Sequence, residues 1–194
     1  MITTEDIKSL RDETGVSVMQ CKQALEEAEG DKEKAVIILR KKSSSIASKK
    51  ANRELKAGTV ASYIHSGGNV GAMVELLCET DFVAKNEEFK KLAYDIAMHI
   101  AAADPEYLSQ DDVTEDDKKK VAEIFEKEIS ESDKSEEIKN KILQGKIDAH
   151  FKEKILLEQP FIKDSNITVG ELVQQAVQKF GEKSEIGRFA RFAI

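Results

Sequence analysis

From Gly58 to Glu79 the hydrophobic period of this chain changes, and that change limits the folds open to it. GTVASYIH and VGAMVELLCE carry strand-forming residues in partial alternation. Between them, Ser66-Gly67-Gly68-Asn69 supplies glycines able to take the positive φ of a hairpin turn. The stretch reads as an antiparallel hairpin. On both sides of it the apolar residues recur at helical spacing instead. The fold class is therefore α+β.

Three short helices are predicted ahead of the hairpin. Thr3 or Thr4 caps the first, which carries Ile7 and Leu10 on one face and ends at Gly15. Ser17 and Gln20 have capping-box spacing at the start of the second, whose face bears Cys21, Ala24, Leu25 and Ala28 before Gly30. Asp31 caps the third, with Ala35, Val36, Ile38 and Leu39. Residues 1–42 thus form a small helical domain with a marginal core. The Ser/Lys-rich run from Arg40 to Lys56 follows, with the linker placed at residues 43–56. It either extends the third helix or stays flexible, and its composition fits a solvated spacer.

Residues 57–194 form the second domain. Phe89, Leu92, Ala93, Ile96, Ala97 and Ile100 mark a helix capped by Asn86 or Asp81 and ended by Asp104-Pro105. Segment 111–150 is charged and helical in pattern. Thr114 caps it, and its stripes, Val121, Ile124, Phe125, Ile129 and then Ile138, Ile142, Leu143, Ile147, are parted by Ser132-Asp133. Gln159-Pro160-Phe161 marks a turn. Thr168 and Glu171 have capping-box spacing before a helix closed by Gly181. EIGRFARFAI reads as a third strand with apolar groups on both faces, Phe189 and Phe192 among them, so the sheet is expected to be covered on both sides.

The composition narrows the chemistry. With a net charge of −7 and a pI near 5.2, no broad basic footprint for nucleic acid is expected. No apolar run approaches the roughly 20 residues of a membrane span. Cys21 and Cys78 have neither zinc nor thioredoxin-like spacing, and a cytosolic setting with both thiols reduced is expected. Glycine-rich phosphate loops are missing, and His65, His99 and His150 show no paired-ligand spacing. Cys78 is the one tempting nucleophile, but its alternation with Ala72, Val74 and Leu76 marks a buried core thiol. Neither a catalytic site nor a cofactor is expected.

What remains is exposed shape. Val16, Val18 and Met19 crowd one helix start beyond what a tiny core needs, which points to a docking surface, in part a core staple. Thr80-Asp81-Phe82-Val83 stands where the second strand gives way to a helix. By periodicity alone Asp81 reads as a helix cap and Phe82 as a core aromatic.

The segment containing Leu10-Arg11, Thr14-Gly15, Met19, Cys21-Lys22 and Ala24-Leu25 resembles the N-terminal domain of the elongation factor Ts family. Glu79-Thr80-Asp81-Phe82-Val83-Ala84-Lys85-Asn86 is similar to that family's core signature. Leu156-Leu157-Glu158-Gln159-Pro160-Phe161 and Arg188-Phe189-Ala190-Arg191-Phe192 are similar to its C-terminal part. The resemblance runs in one order over nearly the whole chain. It implies a UBA-like N-terminal domain that docks on elongation factor Tu, the GTPase that delivers aminoacyl-tRNA, with Arg11, Val18, Met19 and Lys22 at the docking face. Val18 stands where members often carry another Met. It further implies that Thr80, Asp81, Phe82 and Val83 reach the partner's nucleotide site and dislodge its magnesium. Short members of the family form homodimers, so a homodimer is expected here. A UBA-like binding scaffold with an inert core is the alternative; it expects Phe82 to be buried.

Overall fold

The computed structural model describes residues 2–130 and 135–194. Its first helix, α1 (Thr4–Thr14), begins with a reciprocal cap in which the Asp6 N–H donates to the Thr3 hydroxyl and the Thr3 N–H to the Asp6 carboxylate. Gly15 ends it at φ 66°, a left-handed conformation that suits glycine. Helices α2 (Val18–Glu27) and α3 (Lys32–Lys50) follow, capped by Ser17 and Asp31. Leu10, Val16, Cys21, Ala24, Leu25, Ala35 and Leu39 make their common core.

α3 is longer than its apolar stripe. It continues through the Ser/Lys-rich stretch, so of the two alternatives for that stretch, helix extension describes residues up to Lys50. The Ser43 and Ser48 hydroxyls donate back to the Leu39 and Ser44 carbonyls, and Lys49 and Lys50 sit at the negative end of the helix dipole.

β1 (Ala57–Ile64) and β2 (Val70–Cys78) form the antiparallel hairpin, its turn carrying Gly68 at φ 70°. A four-residue helix, α4 (Asp81–Ala84), leads into α5 (Glu87–Ala103). α6 (Glu115–Ser130) and α7 (Glu136–Lys154) pack on each other as a charged helical hairpin. The break expected at Ser132-Asp133 lies outside the described residues. Ile124 and Ile138 are exposed, so the stripes of this hairpin bury less than their length, around Val113, Phe151 and Ile155.

The chain then forms β3 (Pro160–Phe161), β4 (Asp164–Thr168), α8 (Val169–Phe180) and β5 (Ser184–Ala193). Strands β1, β2 and β5 make a three-stranded antiparallel sheet with β2 in the centre. β3 and β4 pair as a separate ribbon where only a turn was expected. α8 also holds the second half of α3: Ser43 donates to Gln178, Ser44 to Gln174 at 2.8 Å, and the Lys50 ammonium to the Gly181 carbonyl.

The larger core lies between the sheet and its helices. Ala72, Val74, Leu76 and Cys78 on one face of β2 meet Phe89, Ala93, Ile96 and Ile100 of α5, with Val169 and Val173 of α8 and Ile186 of β5. Cover on both sides of the sheet was expected, from a helix or from another chain. Among the described residues the helices bury this face and leave the other open. Phe189 and Phe192 are three positions apart on β5 and so point to opposite sides. Phe189 packs on the core, while Phe192, opposite Gly71, is 72% exposed beside exposed Ile64 and Met73. Among the described residues no helix is long and apolar enough to cross a membrane.

Candidate functional site

β2 ends at Cys78, which pairs with Ser184 of β5. Beyond that pair the two segments diverge, and their backbone donors need new partners. Two carboxylates supply them. Glu79 accepts the Lys183 N–H at 2.6 Å, and the Arg53 guanidinium closes on the same carboxylate at 3.1 Å. Glu182 accepts the Thr80 N–H at 2.9 Å through one oxygen and the Thr80 hydroxyl at 2.6 Å through the other. Thr80, in extended conformation, is the N-cap of α4, and its hydroxyl accepts the Val83 N–H at 3.5 Å. Its carbonyl accepts from the Ala84 N–H and from the Cys78 thiol, both at 3.2 Å.

α4 is too short to be stable from its own hydrogen bonds. Val83 anchors it by entering the sheet core, and Asn86 restarts the chain as α5 by accepting the Glu88 N–H at 2.8 Å. The inward position is thereby taken by Val83, and Phe82 is 80% exposed. The reading of Phe82 as a core aromatic is corrected, and with it the scaffold alternative's expectation of a buried ring. The reading of Asp81 as the cap is corrected too, because Thr80 fills that role. Asp81 stands on the surface beside the ring. Its carboxylate accepts a hydrogen bond from Lys85 at 2.6 Å, which together with the Lys85 charge holds its pKa below the ordinary carboxylate value.

A second protrusion lies at the start of α2. Val16 is buried and staples the helix start to the N-terminal core, whereas Val18 and Met19 are 54% and 65% exposed. Only half of the expected capping box forms: the Ser17 hydroxyl accepts the Gln20 N–H at 3.4 Å, but the Gln20 side chain takes the Ser17 hydroxyl proton rather than its backbone N–H. Lys22 is exposed one turn beyond Val18 and Met19, within reach of Glu26 at 3.7 Å. Arg11 is exposed near the end of α1 and lines a cleft of about 470 Å³ where that end faces α5 and α8. The structure groups Val18, Met19 and Lys22 on one helix face. Thr80 to Val83 stand at the other core, which Val83 alone of the four enters.

The thiol alternative finds no support in the geometry. Cys78 is buried, and burial, aided by the nearby Glu182 charge, pushes its pKa up, away from a reactive thiolate. His99 is engaged elsewhere, with Gln159 at 2.9 Å and the Ile162 N–H at 3.2 Å. Sequence reasoning missed the clasp formed by Glu79 and Glu182. Gly181 signals a chain reversal, but no local pattern links residue 182 to Thr80, 102 positions earlier.

A family model described as "Elongation factor TS" matches residues 45–194. Over its whole length the chain is 46% identical to "Elongation factor Ts" of Koribacter versatilis, covering 88% of that protein. It is 48% identical to the protein of the same name from Carboxydothermus hydrogenoformans, with 89% of it covered. The Fervidobacterium nodosum protein so named is 44% identical, with 98% covered.

Proposed function

The chain belongs to the elongation factor Ts family, and from that premise we propose that it binds elongation factor Tu carrying GDP, disturbs the magnesium and nucleotide site of that GTPase, and promotes GDP release so that GTP binds. It acts in the cytoplasm as a translation elongation factor, with no covalent chemistry of its own and no direct contact to nucleic acid.

The observation that carries the reading is Phe82, an aromatic ring 80% exposed on a one-turn helix held by its Thr80 cap and by buried Val83. A soluble chain has little reason to hold such a ring in water unless another surface receives it. Burying a phenylalanine side chain is worth about 1.5–3 kcal/mol. A tenfold weakening of nucleotide needs only about 1.4 kcal/mol of coupling. Insertion of this ring into a site that closes around GDP therefore suffices in magnitude. Asp81 brings a carboxylate to the same place, and Thr80 and Val83 hold the pair in position. Magnesium neutralises phosphate charge, so its displacement loosens the nucleotide. By linkage, nucleotide weakens the factor's binding by the same ratio, and the ternary complex is transient. Val18, Met19, Lys22 and Arg11 supply the docking face.

A homodimer accompanies this function. Val60, Ile64, Met73 and Phe192 leave an apolar sheet face open to a second copy. Light scattering at monomer mass across micromolar concentrations would remove this part of the proposal.

Stopped-flow release of fluorescent GDP from elongation factor Tu tests the exchange mechanism. Strong acceleration by the parent and at least about tenfold less by Phe82→Ala is expected, the loss of about 1.4 kcal/mol or more from the exchange transition state. Equal acceleration by both would move the mechanism away from Phe82. Binding without acceleration by either would leave only the scaffold.

A further inference from the structure

We propose that Glu182 is a positioning residue for nucleotide exchange: delivered from the turn between α8 and β5, its carboxylate sets the direction in which Thr80 presents Asp81 and Phe82. This rests on Phe82 being the inserted group.

A threonine hydroxyl has one proton to give and two lone pairs to offer. As the cap of α4 it must turn a lone pair toward the Val83 N–H, and at 3.5 Å that bond alone is too weak to set its rotation. Glu182 takes the hydroxyl proton at 2.6 Å, the length of a charge-assisted bond. With the proton committed, a lone pair is left for Val83. The second Glu182 oxygen holds the Thr80 N–H at 2.9 Å, so one carboxylate grips both the backbone and the side chain of the capping residue. A longer helix would fix its own axis through successive turns. α4 has four residues, so its direction follows from its cap and from Val83.

Glu182 is itself held in place. Gly181 ends α8 at φ 73°, which turns the chain back toward β2, and the amide of Lys183, just after Glu182, donates to Glu79. Arg53 braces Glu79 in turn. Each segment thus grips the other through one glutamate, and the grip of Glu182 falls on Thr80, two residues before Phe82. A cap for the sheet end would need only one acceptor for each free N–H. The bond from Glu182 to the Thr80 hydroxyl exceeds that need and acts on α4.

The test uses the full chain and elongation factor Tu loaded with fluorescent GDP, with release followed over a range of factor concentrations. Glu182→Ala is expected to lower the maximal release rate about tenfold, equivalent to about 1.4 kcal/mol. The half-saturating concentration is expected to move less than about twofold, because docking lies elsewhere. Glu182→Gln, with one acceptor left, falls between. Glu182→Ala combined with Phe82→Ala is no slower than Phe82→Ala alone, since both act through the same ring. If Phe82→Ala slows release and Glu182→Ala does not, or if their losses add, the role of Glu182 is overturned while that of Phe82 stands. If Phe82→Ala has no effect, both fall. Should Glu182→Ala lower the melting temperature by more than about 5 °C, Thr80→Ser and Thr80→Val replace it. Serine keeps the hydroxyl and is expected to keep the rate, valine to lose it. Equal rates from the two overturn the proposal.

Discussion

Two helix starts on this molecule put apolar side chains into solvent, and they are built differently. Val18 and Met19 follow Ser17 on α2, and Phe82 follows Thr80 on α4. Each start uses a hydroxyl cap and a buried valine, Val16 before the cap in one and Val83 after it in the other. α2 has ten residues and rests on its own buried Cys21, Ala24 and Leu25. α4 has four and is held from outside, by Glu182 on Thr80 and by the Cys78 thiol. A patch on a self-supporting helix is a rigid surface suited to affinity. A ring on a turn clamped by remote groups depends for its aim on those groups. In the proposed exchange reaction the first surface holds the partner and the second acts on it.

The largest expected effect tests that division. Val18→Ser with Met19→Ser should raise the half-saturating concentration for GDP release about thirtyfold, or about 2 kcal/mol of docking. The maximal rate should stay within about twofold. A fall in maximal rate at unchanged half-saturation would merge the two surfaces into one function.

The next concerns which side chain anchors and which protrudes. Urea denaturation should give a loss of about 2 kcal/mol for Val83→Ala and no more than about 0.5 kcal/mol for Phe82→Ala. Similar losses for both would contradict the inward and outward assignment. A smaller effect is expected at the other helix start, where Ser17→Ala removes a local cap worth about 1 kcal/mol. An unchanged denaturation midpoint would mean that Val16 alone fixes the entry to α2.

The smallest effect is one of pH, and it belongs to the core that carries α4. His99 is buried, its Nδ1 accepting the Ile162 N–H while Nε2 faces the Gln159 side-chain oxygen. Burial, partly opposed by the Gln159 bond, holds its pKa below the ordinary 6.5. A base depressed in the folded state contributes stability that is complete above its unfolded pKa. That stability is lost as pH falls from about 6.5 toward the folded value. The melting temperature should drop across that window in the parent and drop less in His99→Gln. An identical drop in both would place the acid sensitivity on other groups.

Features with local causes were legible in the sequence. Gly15 and Gly181 end helices, Asn86 and Asp31 begin them, Thr168 and Glu171 form their box, and Gly68 turns the hairpin, because each depends on neighbours within a few residues. Phe82 was not legible by periodicity. At the junction of strand and helix neither period applies, and the inward place went to Val83; only the likeness to a family pointed outward. The clasp of Glu79 and Glu182 was hidden because it joins segments that only the pairing of β2 with β5 brings together. That Phe189 and Phe192 take opposite faces was legible, but alternation identifies two faces without saying which one a helix covers. The β3–β4 ribbon escaped because β3 has two residues, too few for any pattern, and β4 is a polar five-residue strand with one buried position.

α3 has one further consequence. Its 19 residues run without interruption from the N-terminal core to the side of α8, a shaft about 28 Å long. A shaft transmits rotation as well as distance. One residue inserted near Ile46 would turn Ser43 and Ser44 by about 100° relative to Lys50, so the bonds to Gln178, Gln174 and Gly181 could not all form, whereas four would bring them back nearly into phase at the cost of about 6 Å of added length. The spacing and the relative bearing of the two protrusions are thus written jointly into the residue count of one helix and its seat on α8.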